Sequence, residues 1–159
     1  MLGLLLVMEF AAVPLHTTPN EVRIPSADAW LAGRPGPFVV AEVPLPRARV
    51  SGPFERRQAT SMFQSIAHWQ RTAHGYSGFQ PPVHDQLSAQ LTSFPDEACL
   101  RMLADTGMTC VVVHTRLYGP GGWEVVRDRI DRASEWLTVG HIAGSGRVYS
   151  LRSPPGPRR

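Results

Sequence analysis

Phe38-Val39-Val40-Ala41-Glu42-Val43 and Cys110-Val111-Val112-Val113-His114 are the two stretches on which the fold turns. The first is a β-branched run with Pro37 before it and Pro44 and Pro46 behind it, the pattern of a strand buried on both faces. The second is the same kind of run, reached from a preceding helix in a few residues. Strand, helices, strand is the order that produces a parallel central pair.

Working outward, Ser26 is placed to cap a short helix through Trp30 and Leu31 that stops at Gly33. From Glu55 to Trp69, Met62, Phe63, Ile66 and Trp69 recur at helical spacing and predict an amphipathic helix. Val83, Leu87 and Leu91 fall on one face of a third helix. A fourth takes Ser93 as its candidate cap and Pro95 in its first turn, carries Asp96 and Glu97 where they complement the helix dipole, and ends at Gly107. After Gly121-Gly122, Trp123, Val126, Ile130 and Ala133 line a fifth helix, with Arg127/Asp131 and Asp128/Arg132 at i, i+4 on its other side. Leu137 to Ile142, Gly144-Ser145-Gly146 and Arg147 to Leu151 read as a β-hairpin. Trp69, Trp123 and Trp136 are expected in the core. The fold class is therefore α/β: a small mixed sheet with a parallel central pair, flanking helices and a C-terminal antiparallel hairpin. Strand order is left open.

The 159 residues suit one domain, placed at 21–153, with a connector before it and a tail at 154–159. All 16 basic residues are Arg, and they are scattered without interleaved aromatics, so the net charge of +3 does not describe a nucleic-acid groove. Cys99 and Cys110 lie on different elements without paired metal or redox spacing, and free buried thiols are expected, with a disulfide left open. Leu2 to Val7 is apolar but too short to cross a bilayer, with Glu9 and Pro14 close behind.

The sequence carries no Walker loop, no GxGxxG, no HExxH and no GxSxG. No cofactor and no metal site are expected. Candidate chemistry rests on Glu42, His68 and His114, with His74 and His84 nearby in sequence. If the central strands are parallel neighbours, Glu42 and His114 fall toward their carboxyl ends, where open α/β sheets bind ligands. A carboxylate beside an imidazole serves acid/base work, although a lone His beside a strand is more often a hydrogen-bonded structural residue. Tyr76, Ser77 and Phe79, in the Gly- and Pro-rich stretch from His74 to Pro82, are candidate binding residues, for a sugar ring, a partner domain or a membrane interface.

Taken together, Ala41-Glu42-Val43-Pro44-Leu45-Pro46, Met62 through His68-Trp69, Gly75-Tyr76-Ser77-Gly78-Phe79 and Val111-Val112-Val113-His114 resemble the C-terminal extracytoplasmic region of bacterial multi-span glycosyltransferase-like membrane proteins. These use polyprenyl-phosphate-linked sugars and are similar to protein mannosyltransferases and aminoarabinose transferases. The resemblance implies that Leu2 to Val7 closes the last membrane helix and that the domain packs on a membrane-embedded transferase core. A glycan or lipid-linked sugar would be a further partner. The family's catalytic acids lie in an early extracytoplasmic loop that has no counterpart in these residues. The resemblance thus implies a non-catalytic domain, membrane-associated on the extracytoplasmic side. The competing reading is a small enzyme built on Glu42 and His114, and a third is an inactive remnant.

Overall fold

The computed structural model describes residues 23–45, 53–75 and 82–152, with the side chains of 53 and 54 excepted. The helices are α1 (Ser26–Ala32), α2 (Pro53–Ser65), α3 (Pro82–Leu91), α4 (Glu97–Asp105) and α5 (Gly122–Arg132), with a 3₁₀ turn at Thr115–Tyr118. The strands are β1 (Val39–Val43), β2 (Arg71–Thr72), β3 (Cys110–His114), β4 (Leu137–Ala143) and β5 (Gly146–Leu151). They form one five-stranded sheet in the order β2-β1-β3-β5-β4. β1 is parallel to both β2 and β3, and β5 is antiparallel to β3 and β4. The α/β class, the parallel central pair and the terminal hairpin are as the sequence suggests. β2, only two residues long, gives no periodicity to read.

The pleat of the two central strands divides the interior. Ala41 and Val43 of β1 and Val111 and Val113 of β3 pack with Leu87 and Leu91 of α3, Leu100 and Leu103 of α4, and Val126 and Ile130 of α5. The alternate residues Val40, Cys110 and Val112 meet Ala27 and Leu31 of α1 on the opposite face. Three layers result, because a strand buried on both faces needs apolar cover on each. Cys99 belongs to the first cluster and Cys110 to the second, both as buried free thiols, which answers the disulfide question. Burial pushes each thiol up to about 12.

Helix ends depart from expectation in instructive ways. The cap of α4 is Asp96, whose carboxylate accepts from the Cys99 amide at 2.9 Å, and not Ser93. An Asp one residue before the helix reaches the third amide directly. Ser26 does not cap α1; its hydroxyl donates to the Ala143 carbonyl at 3.0 Å and ties α1 to the hairpin. On α5, Arg132 reaches Asp128 across i, i+4 as expected but donates to its carbonyl at 3.1 Å, while Arg127 lies 3.4 Å from the Asp128 carboxylate. Gly107, at φ 80, supplies the left-handed stop after α4.

The largest departure concerns α2. Its apolar stripe faces outward: Met62, Phe63 and Ile66 are exposed, whereas Gln58 and Ser61 are buried against the sheet. Trp69, expected in the core, is 82% exposed and holds φ 53. This left-handed conformation costs a side-chain-bearing residue about 1–2 kcal/mol. Trp136 is buried as expected, and Trp123 is partly buried against the main core. Val83 is also exposed, leaving Leu87 and Leu91 as the buried part of α3.

One close approach sets the α1 packing. A Cβ built on Gly140, at the register shift in β4, would stand 3.1 Å from the Trp30 ring. Gly140→Val is expected to cost about 1–3 kcal/mol through overpacking. Thermal unfolding should show a melting temperature lowered by several degrees.

Candidate functional site

Glu42 sits at the carboxyl end of β1, and the pleat turns it toward the face that α1 and α2 cover. It is buried. A lone carboxylate there would be costly, yet three groups donate to its Oε2: Arg57 Nη2 at 2.7 Å, Ser61 Oγ at 2.9 Å and His114 Nε2 at 2.8 Å. Arg57 and Ser61 stand one helical turn apart on α2, so one stripe of that helix delivers both. His114 ends β3, two residues beyond Val112, the register partner of Glu42. No described residue donates to Oε1.

Beside this cluster, His74 replaces a stretch of strand. β2 ends at Thr72, the Ala73 amide still donates to the Val40 carbonyl, and the next amide of β1, that of Glu42, donates to His74 Nε2 at 2.7 Å. The imidazole therefore serves as the acceptor that a longer β2 would have supplied. The chain after it is held by Gln58, whose Oε1 accepts from the Gly75 amide at 3.1 Å. Accepting at Nε2 requires a neutral ring with its proton on Nδ1. Nδ1 of His74 and Nε2 of Gln58 are buried with no hydrogen-bond partner among the described residues.

Electrostatics follows from this geometry. Burial alone would raise the Glu42 carboxyl, but the hydrogen bond from His114 and the nearby charge of the imidazoles and Arg57 outweigh it and hold it at about 2. Burial likewise disfavours charge on His74; Glu42 opposes this, Arg57 and His84 reinforce it, and the ring is lowered to about 4. Glu42 is thus a carboxylate throughout the physiological range, already committed to three donors. It orients His114, but no described hydroxyl or thiol is hydrogen-bonded to that imidazole. Among the described residues the pair has the form of an orienting acid and a base without a nucleophile.

The position is significant in topology. The chain passes from β1 through α2 to β2 on one side, then through α3 and α4 to β3 on the other side of β1. The crevice between β1 and β3 is the switch point of the sheet, where open α/β folds bind ligands. Glu42 and His114 meet there.

His68 does not join them. Its Nδ1 accepts from the Gln70 amide at 2.9 Å, and its Nε2 lies 3.4 Å from Asp28 Oδ1. Gln70 in turn accepts from the Phe38 amide at 2.9 Å, at the other end of β1. Four residues of strand separate that end from Glu42, roughly 13 Å. His68 is a fastener between α1 and the start of the sheet. Tyr76, Ser77 and Phe79 lie outside the described residues. Among those described, no group of three His, Cys, Asp or Glu side chains is arranged to hold a metal ion, and no helix is long and apolar enough to cross a membrane.

Arg57, Gln58 and Ser61 escape a reading of the sequence alone. Their signal is the polar stripe of α2, but periodicity shows that a helix has two faces without showing which is inward.

Stability should fall with acid in two steps. Unfolded His74 takes up a proton near 6.5 while the folded ring resists until about 4, so stability declines as pH falls through that window, by on the order of 3 kcal/mol. Glu42, depressed to about 2, contributes stability above 4.5 that is lost as pH falls toward 2. Urea unfolding of His74→Gln, which keeps an acceptor and cannot titrate, should lose the upper step alone; an unchanged slope between pH 6.5 and 4 would refute this assignment.

Comparison with family models, with curated proteins and with solved structures returns no match for this chain.

Proposed function

We propose that this chain is a non-catalytic domain of a membrane glycosyltransferase-like protein. In this reading it packs on the membrane-embedded core at the extracytoplasmic side and assists acceptor binding. The observation that carries the non-catalytic part is the commitment of Glu42. A general base must be free to take a proton near neutral pH, and Glu42 is saturated on Oε2 and held far below that range. The resemblance described above supplies the membrane partner. It also accounts for the apolar stretch Leu2 to Val7.

A second reading has its own support. The 2.8 Å contact of Glu42 and His114 falls at the switch point, the place where a small-molecule enzyme of this topology would act. There Oε1 of Glu42 would accept from a ligand, and the buried N–H groups of His74 and Gln58 would donate to it.

The two readings part on one experiment. The chain is purified and assayed with a polyprenyl-phosphate-linked sugar and a glycan acceptor, and in parallel is cross-linked within native membranes. The first reading expects no turnover from the chain alone and cross-links to a multi-span protein with an acidic extracytoplasmic loop. Turnover by the isolated chain that falls at least about a hundredfold in His114→Gln would overturn it in favour of the second.

A further inference from the structure

We propose that the outward apolar face of α2, together with Ile24 and Trp69, rests in the interfacial zone of a lipid bilayer. The inference rests on the membrane reading above and names the surface by which the domain meets the membrane.

The starting point is the inversion of α2. An amphipathic helix on a globular domain ordinarily turns its apolar stripe inward, and here Gln58 and Ser61 occupy that place. Phe63 and Ile66 are left about half exposed. They form, with Arg23, Ile24, Gln64 and Ala67, a groove of about 280 Å³. Contiguous exposed apolar surface of this kind marks a protein or membrane contact.

Trp69 strengthens the case and narrows the occupant. It follows the last turn of α2 in a left-handed conformation that glycine would adopt without strain, and its ring is almost wholly in solvent. Neither local backbone preference nor core packing calls for an indole there. An amphipathic ring is favoured at the headgroup level of a bilayer. The exposed Phe63 and Ile66 match the apolar face of an interfacial helix.

Chain length makes the same choice. Pro14 ends the apolar N-terminal stretch, and the chain reaches the groove at Arg23 and Ile24. Eight residues lie between Pro14 and Arg23, a reach of at most about 30 Å. A chain leaving the bilayer near Pro14 therefore delivers this face close to the lipid surface.

The test uses the full chain and vesicles of phosphatidylcholine and phosphatidylglycerol carrying brominated acyl chains. The emission lost in Trp69→Phe defines the Trp69 signal. Vesicles should shift it to the blue and quench it. Phe63→Ser/Ile66→Ser/Trp69→Ser should weaken vesicle binding by at least about tenfold. Trp69→Gly should also bind less while melting no lower than the parent, a result that a structural role for the indole would not give. Co-sedimentation that depends on Leu4, Leu5 and Leu6 with no change at Trp69 would overturn the inference and leave the membrane reading standing. No co-sedimentation of any form would sink both. Concentration-dependent dimerisation lost in the triple variant would assign the face to a second copy and overturn the lipid assignment.

Discussion

The arrangement depends on one buried negative charge. Glu42 stands buried where β1 ends, and a carboxylate in that position is tolerated only with donors around it. Those donors come from α2 and from β3, so the charge fastens together the parts of the fold that a chain of local preferences would leave apart. Removing one partner would expose the others to the cost of an uncompensated charge, commonly several kcal/mol. Replacing the whole cluster by apolar side chains could cost far less, and its retention speaks for specificity of packing more than for net stability.

The same charge explains the inversion of α2. Arg57 and Ser61 must face the sheet to reach Oε2, and Gln58 must face it to hold Gly75. A helix cannot present that stripe inward and its apolar stripe inward as well. Phe63 and Ile66 are consequently delivered to the surface, with Trp69 just beyond the helix. The buried charge cluster and the exposed apolar groove are therefore two consequences of one helix orientation. This links the polar crevice on one side of α2 to the apolar groove on the other.

What could be read from the sequence follows the same division. Runs such as Val39 to Val43 and Cys110 to His114 are unambiguous, because β-branched residues bounded by turn formers have few alternative placements. The hairpin and the helices carrying Leu100, Leu103, Val126 and Ile130 are equally legible, since there the apolar stripe does face the core. Glu42 and His114 could be brought together on paper because both end parallel strands. His68 could not be separated from them, since nothing local shows that Gln70 and Asp28 bind it at the other end of the sheet. Arg57, Gln58 and Ser61 were hidden by the convention that apolar means inward, and Trp69 was misplaced for the same reason. His74 lending its Nε2 to a strand is a tertiary event without a sequence signature.

The central claim is that Glu42 is an ionised keystone and not a poised acid or base. Its side-chain carboxyl carbon can be followed by NMR through an acid titration, with assignment by comparison with Glu42→Gln. The account requires the resonance to remain that of a carboxylate until the pH approaches about 2. A midpoint at or above the ordinary glutamate range of about 4.3 would contradict it, and would return Glu42 to the group of candidate catalytic acids.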